Sequence, residues 1–311
     1  MPQACFARFR VFCTGVLALI AVDASAVQSV TLPTWVCAHP DAIFVNSFES
    51  GQIAVPHEPS NGSGGAYPGN VTRTLYVAGL GLQTYYLHLP NGYTPRHSWP
   101  LMLALHGAGG PGTSDYYARL VRADWSALAN AQGFIVAAPV GSDSQGGWIA
   151  PASATDHPSD YDLFAAIRAD LEGAYNIERS RIYGWGFSAG GHVMHDLGVN
   201  TYSSAFNAST MAAYGVSAGD LAGLACEGLS DAQCSGLLAA LPRKIPVDIH
   251  LGNSDPLYTM YGAGNDPTRF ENNGWVLNQT LFYTLFNGGH EYFPSQLGDI
   301  WHNLCPNAVV P

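Results

Sequence analysis

One short run, Arg181-Ile182-Tyr183-Gly184-Trp185-Gly186-Phe187-Ser188-Ala189-Gly190-Gly191, constrains this chain more than any other. Its first half is apolar enough for a buried strand, and the stretch that follows, His192-Val193-Met194-His195-Asp196-Leu197, reads as a helix. Between them, Gly186-Phe187-Ser188-Ala189-Gly190 fits the pattern G-x-S-x-G, in which a serine sits on a sharp strand-to-helix turn. Such a turn leaves little room around the serine, so glycines on either side let the backbone pass close by. The first turn of the following helix places unpaired N–H groups and a partial positive charge beside the hydroxyl. The same pentapeptide also occurs in ordinary glycine-rich loops with an exposed serine, so the rest of the chain has to decide between the two.

At 311 residues and 47% hydrophobic content, the chain is long enough for one large α/β domain or two small ones. Charged residues make up only 11%, Lys244 is the sole lysine, and the formal net charge is −11. Without a basic surface to displace counterions from a phosphate backbone, nucleic acid is not an expected partner. Arg8 and Arg10 precede the apolar run Val11 to Val22, and Ala24-Ser25-Ala26 offers small residues for cleavage, so residues 1–26 read as an export signal. That run is short for a membrane span, and no later stretch reaches the ~20 apolar residues a span requires. The expectation is a secreted or periplasmic protein with no membrane span. Cleavage would leave Cys37, Cys226, Cys234 and Cys305, an even number that in an exported protein suggests two disulfides. Cys226 with Cys234, close in sequence, and Cys37 with Cys305, tying the leader to the C-terminus, are the favoured pairs. Zinc is the competing reading, and the lack of a C-x-x-C pair weighs against it.

Residues 27–70 show no clear period and include the loop-like Pro59-Ser60-Asn61-Gly62-Ser63-Gly64-Gly65, so they read as a leader and linker lying over the surface of a domain at 71–311. Arg73 to Val77 and Gln83 to Leu89 form an expected antiparallel hairpin. Leu101 to Leu105 is an unbroken apolar run, suited to a parallel strand covered on both faces, and it leads into His106-Gly107-Ala108-Gly109-Gly110. A phosphate-cradling loop is disfavoured, since neither G-K-[ST] nor G-x-G-x-x-G is present. The alternative is half of an oxyanion hole.

Helices are expected over Asp115 to Gln132, Tyr161 to Tyr175 and Gln296 to Leu304. Strands are expected over Phe134 to Pro139, Arg181 to Gly186, Met211 to Val216, Pro246 to Leu251 and Thr280 to Phe286. Asp220 to Leu241 carries helical signals and reads as a cap over the site. Alternating strands and helices predict an α/β fold with a mostly parallel sheet and helices on both faces.

Reactive groups in such a sheet collect beyond the carboxyl ends of the strands. Four loops leave strand ends with suitable chemistry, carrying His106 to Gly110, Ser188, Asp255 and His290. Their order, oxyanion loop, Ser, Asp, His, is that of a serine-hydrolase triad on an α/β-hydrolase sheet. A serine hydroxyl is a poor nucleophile, so an imidazole must take its proton, and a buried carboxylate fixes the imidazole tautomer.

From about Leu82 onward the chain resembles secreted poly(3-hydroxybutyrate) depolymerase-like, feruloyl and acetyl-xylan esterases with the α/β-hydrolase fold. The matching segments are Leu105 to Gly110, Ala174-Tyr175-Asn176-Ile177 with Arg181-Ile182-Tyr183, Gly186 to Gly191, Gly252 to Pro256, and Gly289-His290. The resemblance implies Ser188 as nucleophile, His290 as general base then acid, and Asp255 as the group orienting it. It implies an oxyanion hole from the N–H groups of Ala108 and Ala189, no metal and no organic cofactor, and an ester substrate, polymeric or small. A non-catalytic binding module on the same fold and a serine peptidase are the alternative functions.

Other residues compete for these roles. His192 and His195, three apart on a helix, read as packing residues rather than a metal pair. His106 reads as a turn-stabilising side chain. Asp248 and His250 share one phase of a strand, as a buried polar pair or a support behind the site. Trp148, Phe187, Tyr258, Tyr261 and Trp275 are candidates for a substrate pocket or for plain packing.

Overall fold

The computed structural model describes residues 27–32, 37, 56–65 and 67–310. The export signal read over 1–26 lies outside the described residues, as does most of the leader between 33 and 55. Among the described residues, the strands are β1 (Gln28–Thr31), β2 (Gly69–Val77), β3 (Gly81–Leu89), β4 (Trp99–Leu105), β5 (Ile135–Pro139), β6 (Ile177–Phe187), β7 (Ala213–Ser217), β8 (Val247–Gly252), β9 (Leu281–Phe286) and β10 (Asn307–Val310). The helices are α1 (Ser114–Gln132), α2 (Asp160–Ala174), α3 (Ala189–Val199), α4 (Asp231–Ala240), α5 (Pro256–Thr259), α6 (Asp266–Asn272) and α7 (Gln296–Leu304).

Eight strands form one sheet in the order β2-β3-β5-β4-β6-β7-β8-β9. The hairpin β2-β3 joins β5 antiparallel at one edge, and every pairing from β5 to β9 is parallel. Strand periodicity explains how one sheet serves two cores. Leu101, Leu103 and Leu105 of β4 pack with Leu163 and Phe164 of α2 and Val193 of α3. Met102 and Ala104 face the other way, toward Trp125 of α1 and Trp301 of α7. The mostly parallel sheet with helices on both faces is therefore present as expected.

Two expectations need correction. β6 begins at Ile177, four residues before the expected start, although Glu178, Arg179 and Ser180 interrupt its apolar run. Glu178 is fully buried there because its carboxylate accepts from Ser98 Oγ at 2.7 Å, Ser180 Oγ at 2.8 Å and the Glu58 N–H at 2.6 Å. The helical signals read over Asp220 to Leu241 are realised only in its second half. The stretch is a series of turns followed by α4, which starts at Asp231 because Ser230 and Gln233 form a capping box.

Part of the leader is fastened to the sheet. Residues 56–65 run past the start of β6, with Ser60 N–H donating to Ile177 O at 2.8 Å and Arg179 N–H to Glu58 O at 2.9 Å. β1 pairs antiparallel with β10. Disulfides join Cys37 to Cys305 and Cys226 to Cys234, the two pairs favoured from sequence.

A single guanidinium ties β1 to the region between α3 and β8. Arg243, 5% exposed, donates to the carbonyls of Ala208, Met211 and Ala212 and to Ser29 Oγ. Burial lowers its pKa to about 10. Arg243→Met keeps the apolar stem but leaves three buried carbonyls unpaired, and is expected to lower the unfolding free energy by about 3 kcal/mol or more. Urea unfolding checks this, and an unchanged midpoint would contradict it.

Candidate active site

Ser188 stands between β6 and α3 at φ 55° and ψ −120°, a positive-φ conformation that costs a residue with a side chain ~1–3 kcal/mol. Hydrogen bonds hold it there: its N–H donates to Ser217 O at 2.9 Å, and its carbonyl accepts from Gly191 N–H at 2.8 Å and His192 N–H at 3.0 Å. Both flanking glycines are required by close approach. A Cβ on Gly186 would lie 2.0 Å from Gly190 O, and one on Gly190 would lie 2.5 Å from Leu105 O. The start of α3 is thus pressed against the end of β4, and a Cβ on Gly107 would lie 3.0 Å from Ser188 Cβ, so the loop after β4 runs close by the serine.

Asp255 and His290 come from the loops after β8 and β9, which are zipped together. Asn253 N–H donates to Phe286 O and Ser254 N–H to Gly288 O, both at 2.9 Å. Asp255 caps the short helix α5, its Oδ1 accepting Leu257 N–H at 2.8 Å, and it is fully buried. A carboxylate can only accept, so His290 carries its proton on Nδ1 and donates to Asp255 Oδ2 at 2.9 Å. Nε2 then accepts from Ser188 Oγ at 2.7 Å. The structure brings Ser188, His290 and Asp255 into one hydrogen-bonded line.

A cavity of about 220 Å³ opens beside this line, with Phe187, Tyr117, Leu120 and Tyr292 among its walls and His290 at its edge. Of the other aromatic candidates, Tyr261 borders a second cavity, and Trp148 covers His106 with ring centroids 4.5 Å apart. Trp275 is a core residue that donates Nε1–H to Ile245 O at 2.7 Å, and Tyr258 lies against Gly264. Asp248 and His250 are buried within β8, 3.2 Å apart, and Asn303 of α7 donates to Asp248 at 2.9 Å, so this is a buried polar pair joined to α7. His195 is buried against Phe270 and meets Tyr214 Oη at 3.2 Å, a packing role as expected.

No protein-family model matches the sequence, and no curated protein matches it. Solved structures do match in fold. A ferulic acid esterase aligns with TM-score 0.57 and 16% identity over 77% of this chain and 99% of that one. The feruloyl esterase module from Clostridium thermocellum, a mutant complexed with sinapinate, aligns with TM-score 0.56 and 15% identity over 82% and 94%. The poly(3-hydroxybutyrate) depolymerase from Bordetella parapertussis aligns with TM-score 0.51 and 19% identity over 76% and 90%. The chain has an α/β-hydrolase fold.

Around the turn that carries Ser188, the structure adds contacts that sequence reasoning missed. His106 does steady its own turn, through Nδ1–H to Gly107 O at 2.9 Å, but Nε2 also accepts Gly141 N–H at 3.1 Å. Trp148 donates Nε1–H to His106 O at 2.8 Å, and buried Asp160 anchors the same loop by accepting Ile149 N–H at 2.7 Å. The residues from Gly141 to Ile149 therefore brace the loop that carries Ala108. The pair Gly146-Gly147 was the available signal, and it did not say which loop it would meet.

Because Nε2 accepts a hydrogen bond, His106 has to stay neutral, and burial lowers its pKa to about 4. An unfolded histidine protonates near 6.5, so the stabilisation from neutral His106 is complete above about pH 6.5 and is lost as pH falls toward 4. The stability difference between wild type and His106→Gln is expected to shift against wild type by up to about 3 kcal/mol across that window. Chemical denaturation of both proteins at a series of pH values measures it. A difference independent of pH would contradict the neutral assignment.

Proposed function

We propose that this chain is an exported serine carboxylic-ester hydrolase, with residues 1–26 as export signal, 27–70 as leader and 71–311 as catalytic domain. The observation that carries the reading is the line from buried Asp255 through His290 to Ser188, at 2.9 and 2.7 Å, ending on a serine held at φ 55°. His290 takes the hydroxyl proton as Ser188 Oγ attacks the ester carbonyl. The developing oxyanion is met by the N–H groups of Ala108 and Ala189 at the positive end of α3. His290 then returns the proton to the departing alcohol, and water, activated in the same way, releases the acid from acyl-Ser188.

The substrates proposed are polyester oligomers or feruloyl and acetyl esters of polysaccharides, a reading supported by the names of the structural neighbours. Two disulfides among the described residues support export to an oxidising compartment. No helix among those residues is long and apolar enough to cross a membrane. No step in this chemistry requires a cofactor.

Turnover of p-nitrophenyl butyrate is expected to fall about 10⁴-fold or more in Ser188→Ala, and about 10³–10⁴-fold in Asp255→Asn, which turns one of the two accepting oxygens into an NH₂ donor and so no longer fixes the His290 tautomer. Equal rates for wild type and Ser188→Ala would overturn the assignment. A matched p-nitroanilide run alongside distinguishes an esterase from a peptidase: the esterase reading expects the amide to be cleaved far more slowly.

A further inference from the structure

The second cavity, about 180 Å³, is walled by His192, Asp220, Ala222, Gly223, Leu257 and Tyr261. Two of its walls adjoin the turns that carry Ser188 and Asp255. Leu257 is two residues past Asp255, and His192 is one helical turn past Ser188. The third wall is the loop leaving β7, which bends at Ala218 (φ 50°) and carries Asp220 back onto α3.

There the side chain of His192 is fastened at one nitrogen. Its Nδ1 lies 3.1 Å from Asp220 Oδ1, and the same carboxylate oxygen accepts Gly223 N–H at 2.6 Å. A Cβ on Gly223 would lie 2.2 Å from the imidazole, so only glycine lets the loop lie flat on the ring. Nε2 has no hydrogen-bond partner among the described residues, and it is not among the sealed-off polar atoms. Nδ1 also accepts Asp220 N–H at 3.1 Å, which places the imidazole proton on Nε2; burial lowers the pKa of His192, but Asp220 more than offsets this and raises it above the ordinary imidazole value. An oriented donor thus borders a small cavity, one helical turn along α3 from the serine.

Distance fixes what such a donor can meet. Four residues along α3 rise ~6 Å. An oxygen two carbons beyond a carbonyl attached to Ser188 Oγ, plus a hydrogen bond of ~2.9 Å, spans about the same length. We propose that His192, held by Asp220, is a specificity-determining residue that donates a hydrogen bond to an oxygen on one arm of the ester, selecting oxygen-bearing arms over all-carbon ones. This rests on the reading of Ser188 as nucleophile. The oxygen belongs either to a hydroxylated acyl chain or to a hydroxylated alcohol.

Two substrate pairs test the proposal and distinguish those sources. On the acyl side, p-nitrophenyl 3-hydroxybutyrate is compared with p-nitrophenyl butyrate; on the alcohol side, 2-hydroxyethyl butyrate with propyl butyrate. In the wild-type protein one oxygen-bearing ester is expected to exceed its all-carbon partner about tenfold in kcat/KM, chiefly through KM. His192→Leu is expected to bring that ratio close to one. His192→Gln, whose amide N–H reaches the position of Nε2, is expected to restore most of it. The ratio is read on whatever activity each variant keeps, and the wild-type comparison stands even where a variant does not fold. Ratios near one for both pairs in the wild type, or a preference untouched by His192→Leu, would overturn the proposal. Absence of turnover on all four esters would overturn the reading beneath it.

Discussion

Everything at the candidate site depends on a serine backbone held where a side-chain-bearing residue does not go by itself. The ~1–3 kcal/mol that this conformation costs has to be offset by its surroundings. Here the compensation is specific: three backbone hydrogen bonds on Ser188, and two glycines pressed against carbonyls that no Cβ would clear. The two hydrophobic cores on either face of the sheet make those carbonyls an unyielding wall. The strain thus belongs to the whole sheet, and it is what lifts the Ser188 hydroxyl out of the strand toward His290.

The second requirement is to bring together groups far apart in sequence. Parallel pairing of β8 with β9 does most of this, because it aligns the strand ends from which Asp255 and His290 emerge. Backbone bonds between the two loops then fix their relative height. Burying Asp255 removes it from water, and the Leu257 N–H and the His290 Nδ1–H take water's place at the carboxylate. The rim is built in the same way elsewhere: the loop carrying Ala108 is braced by Gly141 and Trp148, and the loop from β7 by His192.

Much of this was legible in the chain, for identifiable reasons. Leu101 to Leu105 and the run into Ser188 announce buried parallel strands, because both faces of such strands are apolar. Asp255 and His290 were legible because each lies just past an apolar strand. The disulfide pairs followed from proximity for Cys226 and Cys234, and from the need to fasten a leader for Cys37 and Cys305. What sequence concealed were pairings whose partner lies across the fold. Glu178 breaks the pattern of β6 until Ser98 and the Glu58 backbone arrive to satisfy it. Trp275 stood open between pocket and packing until Ile245 supplied its acceptor. His192 read as a packing residue, and only the return of the β7 loop shows that one of its nitrogens is held by Asp220 while the other meets no partner among the described residues.

The central claim is that the hydroxyl of Ser188 is activated by His290 in the folded protein. Incubation with a fluorophosphonate probe, followed by peptide mapping, tests it most directly, since phosphonylation requires an activated serine. The account predicts one adduct, on Ser188, that disappears in His290→Ala while the fold is retained. An unlabelled Ser188 in the folded wild-type protein, or labelling that persists without His290, would contradict it.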